Sequence, residues 1–339
     1  MIPESDNSSF CGDAFPVSDQ RDLRATVILL CYNQESKIRA ALESVLRQRC
    51  PYRFEILVAD DDSSDRTRVI CEEYADRYPG IVRLLPHHPN KGIVDNYFDA
   101  VLNARGEYVA DCAGDDRWED PDRLRRSIEA LDADASLSVV FTDTVLVREN
   151  ADGSETALRI MGEEVMTERV AGKDILLRVL NHTTALPYVL SSALFRRTPV
   201  ADALSATPDI LRCHDAGVED VPLIAFLATQ GDALHLPVVG YRYYIGGESA
   251  SNNLSARKDY RFVAGITSMV RRLGKHYGLD TSQQHDHFRE KFNYMAAQVR
   301  RSGDRTLMAD FNARLREWPF SLPLRGRIHM LLSRLGYRR

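Results

Sequence analysis

The sequence predicts an α/β protein built on a doubly wound, mostly parallel sheet. In the first third of the chain, short apolar runs typical of strands buried on both faces alternate with segments whose apolar residues recur at helical spacing. Polar or acidic clusters follow these runs, at the strand ends where α/β folds bind their ligands. Strands that alternate with helices in this way indicate parallel pairing.

The first two strand-helix units each end their strand in polar residues. Residues 27–30 are predicted as the first strand, and the polar stretch 31–35 separates it from a helix. Residues 54–59 are predicted as the second strand, which runs into the acidic stretch 60–65 and then into a helix reaching Tyr78. One of these acids is expected to serve the helix N-terminus, but that role does not account for three consecutive aspartates.

The later units are shorter or less regular. Residues 81–85 are predicted as the third strand, and the helix after it is expected to end at Gly106. Residues 108–110 are predicted as the fourth strand. In the second half of the chain, residues 139–141 and 144–147 are predicted as two further strands.

Adjacent carboxylates, Asp115 and Asp116, follow the fourth strand. Buried ionised carboxylates need a partner or a metal, and such a pair can hold a divalent cation that in turn holds phosphate oxygens. Taken alone, the pair could be a turn and a helix cap, and Tyr32 could be a core aromatic. We expect Tyr32, the three aspartates at residues 60–62 and the acidic pair to converge on one rim of the sheet, which these alternatives do not explain.

The first part of the chain carries a series of motifs, which read, in order, Cys-Tyr-Asn, Asp-Asp-Asp-Ser-Ser-Asp-Arg-Thr, Asn-Lys-Gly, Gly-Glu-Tyr-Val and Gly-Asp-Asp-Arg-Trp-Glu-Asp-Pro. In this order they resemble the motifs of family 2 glycosyltransferases with the GT-A fold. The resemblance covers residues 25 to about 250. It implies the GT-A fold and the transfer of a sugar from a nucleotide donor, but it specifies neither the sugar nor the acceptor.

The resemblance also implies roles for individual residues. Tyr32 and Asp61 match residues that contact the nucleotide base, and Asp115 and Asp116 match the motif that binds the nucleotide diphosphate with Mg²⁺ or Mn²⁺. The nucleotide-sugar site is expected to comprise Tyr32, Asn33, Glu35, Asp61, Lys91 and Asp115, and the metal site Asp115 and Asp116.

A second acidic pair, Glu219 and Asp220, opens a predicted helix. The resemblance implies that one carboxylate of such a pair is the general base, and we assign that role to Asp220 with Glu219 in reserve. The alternative is structural, because acids at a helix N-terminus also interact favourably with the macrodipole.

Two positions depart from the family pattern. Ala113 stands where many relatives carry an acid, and Tyr244 stands where many carry a histidine. Tyrosine is a poor metal ligand at neutral pH. A site that uses only two carboxylates remains workable, because Mg²⁺ commonly binds one or two carboxylates together with substrate phosphates.

The predicted activity is inverting transfer from a nucleotide-diphosphate sugar to a hydroxyl of a glycan or lipid-linked acceptor, in bacterial surface polysaccharide synthesis. One alternative is a sugar nucleotidyltransferase, which would usually have a glycine-rich, basic phosphate loop after the first strand. Residues 31–37 contain no glycine, which counts against it. The other is a catalytically inactive nucleotide-sugar-binding protein, because Ala113 and Tyr244 depart from the pattern.

The composition of the chain limits the classes of function and the cellular compartment that we expect for it. The chain has 339 residues and a formal net charge of −5, which argues against general nucleic-acid binding. Its six cysteines show no zinc or disulfide spacing, as expected in a reducing compartment. Neither a signal peptide nor an apolar run of membrane-spanning length is seen. We therefore expect a cytoplasmic protein, peripheral on the inner face of the cell membrane.

Character changes along the chain predict its organisation. The expected segments are a disordered N-terminus (1–23), a GT-A domain (24–254) with a nucleotide-sugar half (24–135) and an acceptor half (136–254), a helical extension (255–317) and a basic C-terminal helix (318–339). The last segment holds five arginines and no acid, with leucine and isoleucine on one helical face. It is expected to contact an anionic membrane surface; the alternative is docking on the protein's own body.

Overall fold

The computed structural model describes residues 23–150, 152–162, 168–181, 189–245, 255–279, 285–318 and 321–337. The predicted disordered segment lies outside these ranges except for its last residue. The strands are β1 (Leu23–Cys31), β2 (Arg53–Asp60), β3 (Val82–Leu84), β4 (Tyr108–Ala113), β5 (Arg117–Trp118), β6 (Leu137–Glu149), β7 (Glu155–Met161), β8 (Arg169–Val170), β9 (Ala193–Arg196) and β10 (Asp232–Ile245). The helices are α1 (Ile38–Leu46), α2 (Thr67–Arg77), α3 (Ile93–Asn103), α4 (Arg123–Ala133), α5 (Gly172–Asn181), α6 (Arg197–Ala206), α7 (Pro208–Leu211), α8 (Asp220–Gln230), α9 (Ala256–His276), α10 (His285–Ser302), α11 (Arg305–Arg316) and α12 (Leu324–Arg334).

The strands form one ten-stranded sheet in the order β3-β2-β1-β4-β9-β6-β10-β5, with β7 beside β6 and β8 beside β10. The four strands β3, β2, β1 and β4 are parallel, as are β6 and β10. Strand β9 joins the two halves by antiparallel pairing with β4 and β6. The predicted α/β class is confirmed, and its parallel part carries the motifs.

Strand β1 is buried on both faces, because helices cover both sides of the sheet. Ile28 packs with Tyr97 and Phe98 of α3 on one face. Val27 and Leu29 pack with α1 on the other face. A continuous apolar run is the pattern that two-sided burial requires, so the sequence predicted the existence of this strand but only residues 27–30 of its length.

Strand β1 begins at Leu23, four residues before its predicted start, and two later strands also extend beyond the prediction. Strand β4 continues to Ala113, and β6 is one strand where two were expected. Polar residues caused both errors, because Asp111 in β4 and Asp143 in β6 interrupt the apolar pattern. Asp143 is buried, and its carboxylate is 2.7 Å from Nε2 of His235 on β10, so the polar residue is partnered inside the sheet.

The C-terminal helices pack on the main core. Apolar residues of α9, α10, α11 and α12 belong to the same cluster as those of α3, α5 and α8. Within the described residues, no helix is long and apolar enough to cross a membrane.

Gly106 does not end α3, contrary to expectation. The helix ends at Asn103, and Gly106 instead lies against β1, where its N–H donates to Oγ1 of Thr26 at 2.9 Å. A Cβ added to Gly106 would overlap the backbone of Ala25 and Thr26. The glycine is therefore needed for close approach between the α3–β4 connection and the central strand.

We expect Gly106→Ala to lower the free energy of unfolding by about 3 kcal/mol, because backbone atoms cannot move aside as a side chain can. Urea denaturation followed by circular dichroism measures the change. Gly80→Ala is the matched control, since no atom lies within 4 Å of a Cβ added there. Equal stability of the two variants would contradict the proposed close approach.

Candidate active site

Three loops meet at the carboxyl ends of β1, β2 and β4. The last residues of β1 pair in register with Asp60 at the end of β2 and with Ala113 at the end of β4. Tyr32, Asp61 and Asp115 follow these three strand ends within one or two residues. The parallel register therefore brings the predicted motifs to one rim of the sheet.

Tyr32 is 51% exposed, which excludes the alternative that it is a core aromatic. Its neighbour Asn33 has a positive φ of 52°, which turns the chain sharply after β1. An exposed ring on a rigid turn offers a flat apolar surface to a planar ligand.

Asn33 and Glu35 tie the first loop to the second. Oδ1 of Asn33 accepts the N–H of Ser64 at 2.8 Å, and Oε2 of Glu35 accepts the N–H of Arg66 at 2.9 Å. Both side chains therefore shape the site. Their expected contact with a nucleotide sugar remains a prediction.

Asp61 is buried, and its carboxylate organises a third loop. One oxygen accepts the N–H of Lys91 at 3.0 Å, and the other accepts the N–H of Gly92 at 2.9 Å. The ammonium of Lys91 lies 2.6 Å from Asp99, which also pairs with Arg212. Asp61 and Lys91 therefore lie beside each other at the rim, and the ammonium group of Lys91 is directed to Asp99 on α3.

The remaining acids of the second motif also have local roles. Asp60 accepts the hydroxyl of Ser63, and Asp62, in a left-handed conformation, lies 3.1 Å from Nε2 of His87. None of the three consecutive aspartates caps α2. Asp65 performs that role by accepting the first N–H of the helix at 2.9 Å.

The two carboxylates of the acidic pair have different environments. Asp116 is buried, and it accepts the Tyr241 hydroxyl at 2.9 Å and the Tyr244 N–H at 2.7 Å. Burial, together with the negative charge of Asp115, raises the pKa of Asp116 to about 7. Asp115 is half-buried, and none of the described residues donates a hydrogen bond to its carboxylate or forms an ion pair with it.

Basic residues that the sequence did not reveal surround this pair. Nζ of Lys37, at the start of α1, lies 5.9 Å from the ring centroid of Tyr244 and lowers the pKa of Asp116. The guanidinium of Arg117 lies 5.0 Å from the same ring. The Tyr244 hydroxyl donates to Glu155 at 2.7 Å, so this side chain is tied to the start of β7.

Asp115 and Asp116 are the groups at the rim that suit a divalent cation. Among the described residues, no cluster of three or more His, Cys, Asp or Glu side chains could hold a metal. Each Asp116 oxygen accepts one hydrogen bond and keeps a lone pair, and no hydrogen bond from the described residues uses a lone pair of Asp115. Two carboxylates fit Mg²⁺ or Mn²⁺ only if donor phosphates and water complete the shell.

The second acidic pair lies at the N-terminus of α8. Oδ1 of Asp220 accepts the N–H of Val221 at 2.7 Å. Burial, together with the charge of Asp220, raises the pKa of Glu219 to about 8, and burial also raises the pKa of Asp220. Both residues keep some exposed surface, so they border the solvent-accessible side of a largely enclosed cluster.

Asp111, in β4, is a third carboxyl of this cluster that sequence reasoning missed. It is buried, its Oδ2 lies 3.4 Å from the Ser191 hydroxyl, and no described residue contacts its Oδ1. Burial raises the pKa of Asp111 to about 7, and the charge of Asp220 adds to the effect. The signal in the sequence was an acid in an otherwise apolar run, directly after the predicted strand end at residue 110, whereas the strand continues to Ala113.

Comparison with known proteins agrees with this geometry. The sequence model of glycosyl transferase family 2 matches residues 26–200, about half of the chain. The chain is 28% identical over 328 residues to the succinoglycan biosynthesis protein ExoO of Rhizobium meliloti, covering 91% of this chain and 87% of that protein. It is 39% identical over 131 residues to an uncharacterized protein of Mycobacterium tuberculosis, covering 38% of each, so this match spans well under half of the relative's length.

Solved structures share the fold at low sequence identity. A structure of S. aureus TarS in complex with UDP-GlcNAc aligns with a TM-score of 0.55 and 18% identity over 93% of both chains. The mannosyltransferase PcManGT from Pyrobaculum calidifontis, in complex with GDP-Man and Mn²⁺, aligns with a TM-score of 0.52 and 18% identity over 95% of this chain and 87% of that chain. These matches confirm the GT-A fold, and the match of the family model to residues 26–200 shows that the chain belongs to glycosyl transferase family 2.

Proposed function

We propose that this protein transfers a sugar from a nucleotide-diphosphate sugar to a hydroxyl of its acceptor, with inversion at the anomeric carbon. The observation that carries the proposal is the convergence of an exposed tyrosine and an unpaired carboxylate, Tyr32 and Asp115, at adjacent parallel strand ends. Tyr32 would stack on the base, and Asp61 would contact its edge from the neighbouring loop. The acid cluster at Asp220 would serve the acceptor.

The contacts favour Asp220 over Glu219 as the general base. A base must be ionised before it takes a proton, and burial together with the charge of Asp220 raises the pKa of Glu219 and disfavours its ionised form. Asp220 accepts a backbone N–H at the start of α8, which stabilises its ionised form. Asp220 would take the proton of the acceptor hydroxyl. The hydroxyl oxygen then attacks the anomeric carbon, and the bond to the diphosphate breaks on the opposite face.

Negative charge develops on the departing diphosphate, and the rim would stabilise it. Asp115 and Asp116 would hold Mg²⁺ or Mn²⁺, which supplies positive charge to the phosphate oxygens when bound. Lys37 adds a fixed cation close to Asp116. A cationic side chain placed before the reaction begins stabilises the leaving group without reorganisation.

We propose a glycan or lipid-linked sugar as the acceptor, in bacterial surface polysaccharide synthesis at the inner face of the cell membrane. Succinoglycan biosynthesis in the name of the Rhizobium relative supports this class of product. In this proposal residues 24–135 bind the donor, residues 136–254 form the acceptor half, and residues 255–317 form a helical extension.

The products distinguish this proposal from its two alternatives. With a panel of UDP-, GDP- and dTDP-sugars, Mn²⁺ and a lipid-linked sugar as acceptor, a transferase releases a nucleoside diphosphate and forms a glycoside of inverted configuration, visible by NMR. A nucleotidyltransferase would instead form pyrophosphate from a nucleoside triphosphate and a sugar 1-phosphate, which a parallel assay supplies. Binding of a nucleotide sugar, detected as a rise in melting temperature, without release of either product would indicate a catalytically inactive binding protein.

We expect Asp115→Asn to reduce transfer by roughly a hundredfold or more. The substitution removes one of the two carboxylates that would bind the metal ion, and the metal ion would in turn bind the diphosphate. The melting temperature should not fall, since no described residue donates a hydrogen bond to the Asp115 carboxylate and its charge only disfavours the ionised form of Asp116. Asp76→Asn is the matched control, because it removes one exposed acid of α2 away from the rim. Asp115→Asn with full activity would remove this residue from the mechanism.

Asp220→Asn should lower kcat by roughly a hundredfold or more and leave donor affinity unchanged, because a general base acts on the acceptor proton. Calorimetry with the nucleoside diphosphate, alongside turnover, separates the two effects. In the wild type, kcat should fall as pH is lowered through the raised pKa of Asp220. If Glu219→Gln causes the larger loss in kcat, the assignment of the base is reversed.

Asp111→Asn should make the protein more stable than the wild type at pH 8 but not at pH 4. The pKa of Asp111 is raised from 3.8 to about 7 on folding, so ionisation destabilises the folded state as pH rises through this range. The difference in unfolding free energy should approach about 4 kcal/mol at most. Urea denaturation from pH 4 to pH 8 measures it, with Asp76→Asn as control. If the free energy of unfolding depends on pH in the same way for Asp111→Asn and the wild type, then Asp111 is ionised in the folded protein at little cost in stability.

A further inference from the structure

Helix α12 docks on the protein through one narrow face. Gly326 and Met330 are buried, and the N–H of Gly326 donates to Oδ1 of Asn293 on α10 at 2.9 Å. A Cβ at Gly326 would overlap Asn293 and Leu322, so the glycine allows the two helices to approach closely. The alternative that this segment docks on the protein's own body is therefore correct for this face.

The opposite face of α12 is apolar and uncovered. Leu324, Ile328, Leu331 and Leu335 are 73%, 47%, 58% and 63% exposed. Their spacing of three or four residues places them along one stripe of a helix, and the same periodicity places Gly326 and Met330 on the far side. Docking therefore leaves the apolar stripe pointing outward.

Arginines border this stripe on both sides. By helical periodicity Arg327 and Arg334 lie along one edge and Arg325 lies along the other, and all three are exposed. No acid occurs from residue 318 to the end of the chain. No ion pair to these arginines is found in the part of the chain that the structure describes; Arg338 and Arg339 lie outside it.

We propose that α12 is an interfacial helix that holds the protein on an anionic lipid surface. An apolar stripe flanked by cations is the arrangement of helices that lie in the plane of a membrane, with their apolar side among the acyl chains and their charges among phosphate headgroups. At eleven residues α12 is too short to span a bilayer.

Charge decides between a lipid surface and a second copy of the chain. A two-fold contact through the stripe would bring the flanking arginines of both copies together without a carboxylate between them. One eleven-residue helix also offers far less area than the roughly 800 Å² per partner of a stable interface. An anionic lipid surface satisfies both the arginines and the apolar stripe.

The full-length protein is tested by co-sedimentation with phosphatidylcholine vesicles, with or without phosphatidylglycerol. We expect binding to the anionic vesicles that weakens as salt is raised. Arg325→Gln with Arg334→Gln should weaken binding roughly fivefold for each arginine lost. Ile328→Ser with Leu331→Ser should abolish it. Arg261→Gln with Arg305→Gln, two exposed arginines of α9 and α11, is the matched control and should bind as the wild type does.

Melting temperatures and donor hydrolysis should be the same in all these variants, because the substituted side chains are exposed and lie outside the donor site. This readout separates the lipid proposal from the proposed transfer activity. Wild-type protein that stays in the supernatant with anionic vesicles at low salt overturns the proposal. So does equal loss in the control variant, or a dimer in sedimentation velocity that only the Ile328→Ser with Leu331→Ser variant loses.

Discussion

The parallel pairing of β1 with both β2 and β4 is the constraint on which the site depends. Because the three strands are in register, their carboxyl ends lie side by side, and the loops after them begin at the same level. A shift of β4 by two residues relative to β1 would move Asp115 about 7 Å along the sheet. The continuous apolar character of β1 allows the strand to be buried on both faces while it pairs with β2 on one edge and β4 on the other.

The loops at this rim are held mainly by one another. Asn33 and Glu35 bind the loop after β2, and Asp61 binds the loop before α3, each through backbone N–H groups. Side chains that satisfy backbone groups fix loop shape at little entropic cost to a later ligand. Tyr32 is exposed, and among the described residues none pairs with the Asp115 carboxylate. Most polar residues of these motifs therefore hold the loops in place, and only a few are free to contact a ligand.

The sequence could predict the strand ends because two-sided burial produces uninterrupted apolar runs. It failed where a buried polar residue finds its partner far along the chain. Asp143 was taken for the end of a strand because its partner, His235, is distant in the sequence. Asp111 was taken for a strand boundary for the same reason, since Ser191 is also distant. Lys37 was missed because its role depends on Asp116, which lies on a different strand-helix unit. The tail showed its apolar stripe in sequence, but which face docks is decided by Asn293 on another helix.

The carboxyl groups near β4 and α8 lower the stability of the fold because they are buried, and we expect them to persist because the chemistry of the site needs them. Asp111, Asp116 and Glu219 all have raised pKa values because burial disfavours their ionised forms. Replacing them by apolar residues would remove a cost that the fold bears at neutral pH. Local arrangements that destabilise a fold and persist are expected where chemistry needs them. Apolar packing on both faces of β1 offsets the cost, so the same strand that aligns the site also supports the charges buried beside it.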